Sequence, residues 1–385
     1  MTSPLKKHPK KLVLLVLLVA AGLYSYGWTR TAHGHLDYRA ALSLHLLSFT
    51  VNHKPDPDSD FEIPLEANLI YMLSDLLPKD EVAKVQQIEI AGDGVTIPAR
   101  VYWPAGHDDS QPLPVIAYFH GGGFVVGSVD IFDALTRSLA NATGAIVVSV
   151  DYRLAPAHPY PAAVDDCYAA TRWVAENAAS LGGDPHRIAV AGDSAGGNLS
   201  AAVALKARDA GTPALAAQIM YYPAVDLTDT PYDSKRDFTD GYGLSSASSQ
   251  LFERAYVADS DPAQPYLSPV RAPNLDHLPP ALVITGGFDP LTGSAQAYTQ
   301  RLRDAGIPVT AVHYPDIIHG FMSVKLFSQR QQALTATADF LRNTFAAAAQ
   351  ASQTEQQASP TEPQQAPTAP QQAPVEPQQP ATDSQ

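Results

Sequence analysis

Six short runs rich in β-branched and aromatic side chains punctuate the middle of this sequence: Val115–His120, Ala145–Tyr152, Arg187–Gly192, Gln218–Ala224, Ala281–Gly287 and Val309–Pro315. Helical patterns lie between most of them. Strands that are apolar almost throughout must be buried on both faces, so the alternation predicts an α/β fold with a mostly parallel, twisted central sheet and helices on both faces. "VQQIEIAG" and "TIPARVYWP" precede the first parallel strand and predict an antiparallel hairpin at the sheet edge. Val164, Cys167, Tyr168, Thr171 and Val174 fall at helical spacing, which makes Cys167 a core residue rather than a reactive one. "RDAGTP" (208–213) and "RDAGIP" (303–308) are helix stops, each with glycine for a left-handed cap and proline just beyond.

The two ends differ from this body. Lys6, Lys7, Lys10 and Lys11 precede an unbroken apolar run from Leu12 to Leu23, followed by Tyr24, Tyr26 and Trp28. Basic residues before an apolar core mark the cytoplasmic side, so residues 1–30 read as an export signal retained as a membrane anchor. Cleavage after the small residues near Val19-Ala20-Ala21, releasing a periplasmic or secreted protein, is the alternative. Residues 31–84 are expected to form a helix-rich N-terminal cap region, and 85–347 the catalytic body. From 348 to 385 the chain turns to Pro, Gln and Ala, with near copies of "PQQAP" at Pro363, Pro370 and Pro377, the composition of an extended, solvated tail. The net charge of −14 argues against a nucleic-acid partner. A single cysteine excludes an intramolecular disulfide.

"RIAVAGDSAGGNL" places Gly192-Asp193-Ser194-Ala195-Gly196, a G-x-S-x-G, at the end of an expected strand and the start of an expected helix. Gly192 and Gly196 flank the serine because so tight a turn has no room for side chains. A serine hydroxyl needs a base to take its proton and a carboxylate to orient that base. In the chain order Ser…Asp…His, Asp289 just past one later strand and His319 just past the next are the expected partners; His313 lies within a strand and Asp316 only three residues before His319, so both are weaker candidates. Upstream, "FHGGGF" puts three glycines after a strand. Attack on a carbonyl creates an oxyanion, and backbone N–H groups can approach it only where no bulky side chain intervenes. Gly122, Gly123 and Ala195 are the expected donors, with Gly121 and His120 shaping the loop.

"HGGGF", "DYRLAPAHPYPAA", "GDSAGGNL", "ALVITGGFDPL" and "IHGF", in this order, resemble the hormone-sensitive-lipase-like esterases of the α/β-hydrolase superfamily, from about Val85 to Phe345. The resemblance implies a carboxylic-ester hydrolase with a helical cap, nucleophile Ser194, acid Asp289, base His319 and oxyanion donors Gly122, Gly123 and Ala195. It implies small-molecule esters of short to medium acyl chain as substrates. Two positions depart from the pattern. Ala157 stands where the family often has glutamate, so a loop contact is missing there, and Thr292-Gly293-Ser294 follow "DPL" where charged residues are usual, which leaves open what braces Asp289. No metal or organic cofactor is implied, since neither H-E-x-x-H nor G-x-x-x-x-G-K occurs. An amidase or deacetylase using the same residues, and a ligand-binding protein on the same scaffold, are the alternative functions.

Overall fold

The computed structural model describes residues 24–50, 78–107 and 110–358. The fold below belongs to the unit Met1–Phe345; of the second unit, Ala346–Gln385, the described part is helical. After a 3-10 turn at Gly27–Thr29, the described residues form a small antiparallel hairpin, β1 (Arg30–Thr31) and β2 (Gly34–His35), and a helix, α1 (Tyr38–Thr50). The rest of the expected cap region, 51–77, lies outside the described residues, as does the apolar run Leu12–Leu23. Among the described residues no helix is long and apolar enough to cross a membrane.

An eight-stranded sheet organises the body. Its strands are β3 (Lys84–Ala91), β4 (Thr96–Trp103), β5 (Leu113–Phe119), β6 (Ile146–Val150), β7 (Gly183–Asp193), β8 (Ala217–Tyr221), β9 (Ala281–Phe288) and β10 (Val309–Ile318). They lie in the order β10-β9-β8-β7-β5-β6-β4-β3. From β6 to β10 all pairings are parallel, while β3 and β4 form the expected antiparallel hairpin, with β4 also antiparallel to β6. Each of the six runs singled out in the sequence is a strand of this sheet.

Successive residues of a strand point to opposite faces, and both faces are covered. On β5, Val115, Ala117 and Phe119 enter one apolar cluster, whereas Ile116 and Tyr118 enter the other. On β7, Ile188 and Val190 alternate in the same way with Ala189 and Ala191. The helices of the body are α2 (Asp133–Thr143), α3 (Ala162–Asn177), α4 (Ala195–Ala210), α5 (Asp233–Asp237), α6 (Ser246–Val257), α7 (Thr292–Asp304) and α8 (Ser328–Ala358). Cys167 is fully buried in α3 and its thiol pKa is pushed well up by that burial, as its spacing implied. Gly211 caps α4 at φ +68°, and Gly306 follows the end of α7 at φ +74°, the left-handed conformation that glycine adopts without a Cβ penalty.

One boundary moves. The tail was expected to be extended from residue 348, yet α8 continues to Ala358. The stretch "AAAAQASQTEQQA" is built of good helix formers and reaches no proline before Pro360, so nothing in it stops the helix. The Pro/Gln repeats at Pro363, Pro370 and Pro377 lie outside the described residues.

Candidate active site

Parallel strands bring their carboxyl ends to one rim, and Ser194, Asp289, His319 and the glycine loop after β5 all sit there. Ser194 is the single residue between β7 and α4. It has φ +56° and ψ −115°, a conformation rare for a residue with a side chain. Backbone bonds hold it: its N–H donates to Tyr221 O (2.8 Å), and its carbonyl accepts from Asn198 (3.1 Å) and Ala224 (3.2 Å). A Cβ at Gly192 would come within 2.6 Å of the Phe119 carbonyl oxygen, and one at Gly196 within 2.7 Å of the His120 oxygen. The flanking glycines are thus required by close backbone approach.

Asp289 follows β9 and His319 follows β10. Strands are spaced about 4.8 Å apart, so β10, three strands from β7, lies roughly 14 Å from it. The distance is closed by an irregularity in β10 between Tyr314 and Ile318 and by Gly320, left-handed at φ +78°. His319 Nε2 then lies 2.9 Å from Ser194 Oγ, and His319 Nδ1 lies 2.9 Å from Asp289 Oδ2. Asp289 is fully buried, and its other oxygen accepts the Leu291 N–H (2.8 Å). The Tyr222 ring meets the imidazole edge-to-face at 4.8 Å. His313 is placed elsewhere, its Nδ1 2.9 Å from Thr285 Oγ1, and Asp316 accepts from Gln329 Nε2 (3.1 Å).

The loop after β5 faces the serine from the neighbouring strand. Gly122 (φ +115°) and Gly123 (φ +61°) adopt backbone conformations closed to most residues, and a Cβ at either would overlap Val126 or Phe252. The N–H groups of Gly122, Gly123 and Ala195 find no hydrogen-bond partner among the described residues. Two such donors in the loop that follows the neighbouring strand and one on the residue after the serine are equipped to receive a negative oxygen. The amino end of α4 adds the positive end of its dipole. His120 braces the loop: it is buried, stacks between Phe132 and Tyr152, and places Nδ1 2.8 Å from Gly121 O, with burial holding its pKa down.

Three supporting residues were not singled out from sequence. Asp193, inside the motif itself, is fully buried and accepts from Tyr118 Oη (2.5 Å) and the Gly121 N–H (2.9 Å). Tyr152 Oη donates to His120 O (2.8 Å). Ser234 of α5 answers what braces Asp289: its Oγ donates to Pro290 O (2.8 Å) and accepts the Gly293 N–H (2.9 Å). A Cβ at Gly293 would stand 2.9 Å from that Oγ, so the glycine admits the strut. Only the odd glycine after "DPL" hinted at it.

Comparison with known proteins gives the chain its relatives. The α/β-hydrolase fold family matches residues 116–323. The esterase LipI of Mycobacterium tuberculosis is 43% identical over 252 residues, 64% of this chain and 78% of that protein. The carboxylesterase NlhH of the same species is 44% identical over 257 residues, 66% and 79% of the two chains. The solved structure of a hyperthermophilic esterase from Pyrobaculum calidifontis superposes with a TM-score of 0.75 at 40% identity, covering 80% of this chain and 98% of that one. The chain belongs to the hormone-sensitive-lipase-like family of α/β hydrolases.

Proposed function

We propose that the protein is a serine carboxylesterase acting on short- to medium-chain esters through an acyl-enzyme. The observation that carries this reading is the unbroken path Asp289–His319–Ser194, both links 2.9 Å, with three backbone N–H groups that have no partner among the described residues. Ser194 Oγ attacks the ester carbonyl while His319 Nε2 takes its proton. Asp289 holds the imidazole and balances the charge it gains. The carbonyl oxygen becomes an oxyanion on Gly122, Gly123 and Ala195, each donor lowering the barrier by about 3–4 kcal/mol. His319 then protonates the departing alcohol. Water, deprotonated by the same imidazole, attacks the acyl-serine, and the acid leaves as Ser194 regains its proton.

A short-chain aryl ester assayed beside the matching anilide tests the reading. Ester hydrolysis, with Ser194→Ala reducing kcat by about 10⁴-fold or more, is the expected result. Faster cleavage of the anilide would make the protein an amidase, and a folded protein inert to both would leave a binding scaffold. The four lysines ahead of Leu12–Leu23 support export with the catalytic body held at the outer face of a membrane.

A further inference from the structure

The peptide between His120 and Gly121 is gripped at both ends: its carbonyl accepts from Tyr152 Oη (2.8 Å) and its N–H donates to Asp193 Oδ1 (2.9 Å). The next two peptides carry the N–H groups of Gly122 and Gly123. We propose that the Asp193 carboxylate is a positioning residue for the oxyanion hole, locking the glycine loop to the residue that precedes the nucleophile. This deepens the esterase reading and rests on it.

Asp193 and the loop end neighbouring strands, since Phe119 of β5 is in register with Gly192 of β7. One side chain therefore spans the two halves of the site. Gly121 is shaped to the contact, because a Cβ there would stand 2.5 Å from Asp193 Oδ2. Stability alone does not account for a carboxylate here. It is fully buried, and Oδ2 has no hydrogen-bond partner among the described residues. A neutral acceptor would satisfy the Gly121 N–H with less desolvation. What a carboxylate adds is a charge-assisted bond about twice as strong as a neutral one, which fixes the peptide more tightly.

The clamp also has a pH range. Burial pushes the Asp193 carboxyl up to about 6, against the opposing hydrogen bonds from Tyr118 and Gly121 and the attraction of His319. Tyr118 on β5 and Tyr221 on β8 face it and are themselves pushed up by burial, so they stay neutral. Burial lowers the pKa of His120 in the loop. The remaining group is His319, whose proton cycles in the reaction. As pH falls through about 6 the carboxylate gains a proton and the clamp weakens.

The test compares wild type, Asp193→Asn and Tyr118→Phe on p-nitrophenyl acetate from pH 5 to 8.5, with rates normalised to sites titrated by a phosphonate. Asp193→Asn is expected to lower kcat per site by about 10- to 100-fold at pH 8 with KM within about threefold. It should weaken an aryl trifluoromethyl ketone, which places an oxyanion in the hole, by the same factor. Its acid limb should lose one proton relative to wild type. Tyr118→Phe removes a donor that favours the ionised form, so its acid limb should move to higher pH. An Asp193→Asn protein with wild-type kcat per site and wild-type acid limb would overturn the proposal, as would a loss lying wholly in the number of titratable sites. Should Asp193→Asn fail to fold, an unmoved limb in Tyr118→Phe overturns it. A wild-type protein inert to the ester overturns both readings, whereas an active wild type matched by Asp193→Asn overturns this one alone.

Discussion

Ser194 and Asp193 are each held in a state they would not choose in isolation, and Gly122 in one that glycine alone takes without strain. Ser194 sits at positive φ, Asp193 carries a carboxylate into the interior, and Gly122 turns at φ +115°. A Cβ at Gly122 would overlap the Val126 carbonyl, so Gly122→Ala must displace the loop. The expected outcome is a fall in kcat of about 10²–10³-fold with little change in KM, read from steady-state kinetics on a soluble aryl ester. Asp193 has a thermodynamic signature as well. Its carboxyl rises from the ordinary 3.8 to about 6 in the folded protein, so the fold binds that proton more tightly than the unfolded chain does. Stability from this group is complete below pH 3.8 and is lost as pH rises to about 6, a difference of about 3 kcal/mol. The Tm of Asp193→Asn should therefore gain on wild type as pH rises from 5 to 7.5, measured by scanning calorimetry. The sequence named Ser194, Asp289 and His319 because the turn and chain order of such a site leave local marks. Asp193 left none: its partners Gly121 and Tyr118 are 72 and 75 residues away, and nothing around position 193 encodes them.

At the scale of elements, strands and helix stops were readable because each depends on side chains a few positions apart. The alternation of β5 and β7 side chains between two apolar clusters follows directly from that spacing. The packing of α5 against the loop after β9 was not readable, since it joins residues 56 apart and the helix is only five residues long. Ser234→Ala removes the acceptor of the part-buried Gly293 N–H, at a cost of about 0.5–1.5 kcal/mol. Because the same loop carries Asp289, we expect kcat to fall by about tenfold beyond any loss of folded protein, checked by active-site titration together with a urea melt. Ser234→Thr, which keeps the hydroxyl, should restore most of the rate.

Across the whole molecule, the site draws on the rims of β5, β7, β9 and β10, while β3 and β4 contribute no candidate residue. Removing residues 1–23 should leave kcat on a soluble short-chain ester within about twofold and shift the protein from the membrane to the soluble fraction; retention in the membrane would speak against the anchor. The strand order has one more consequence. β10 is the outermost strand on its side among the described residues, with β9 as its one strand neighbour there, and it is the strand that delivers the imidazole. Warming should loosen the frame first where it has a single neighbour. The base would then wander while the nucleophile, rooted mid-sheet, still stands in place, and turnover would fade before the bulk of the protein melts.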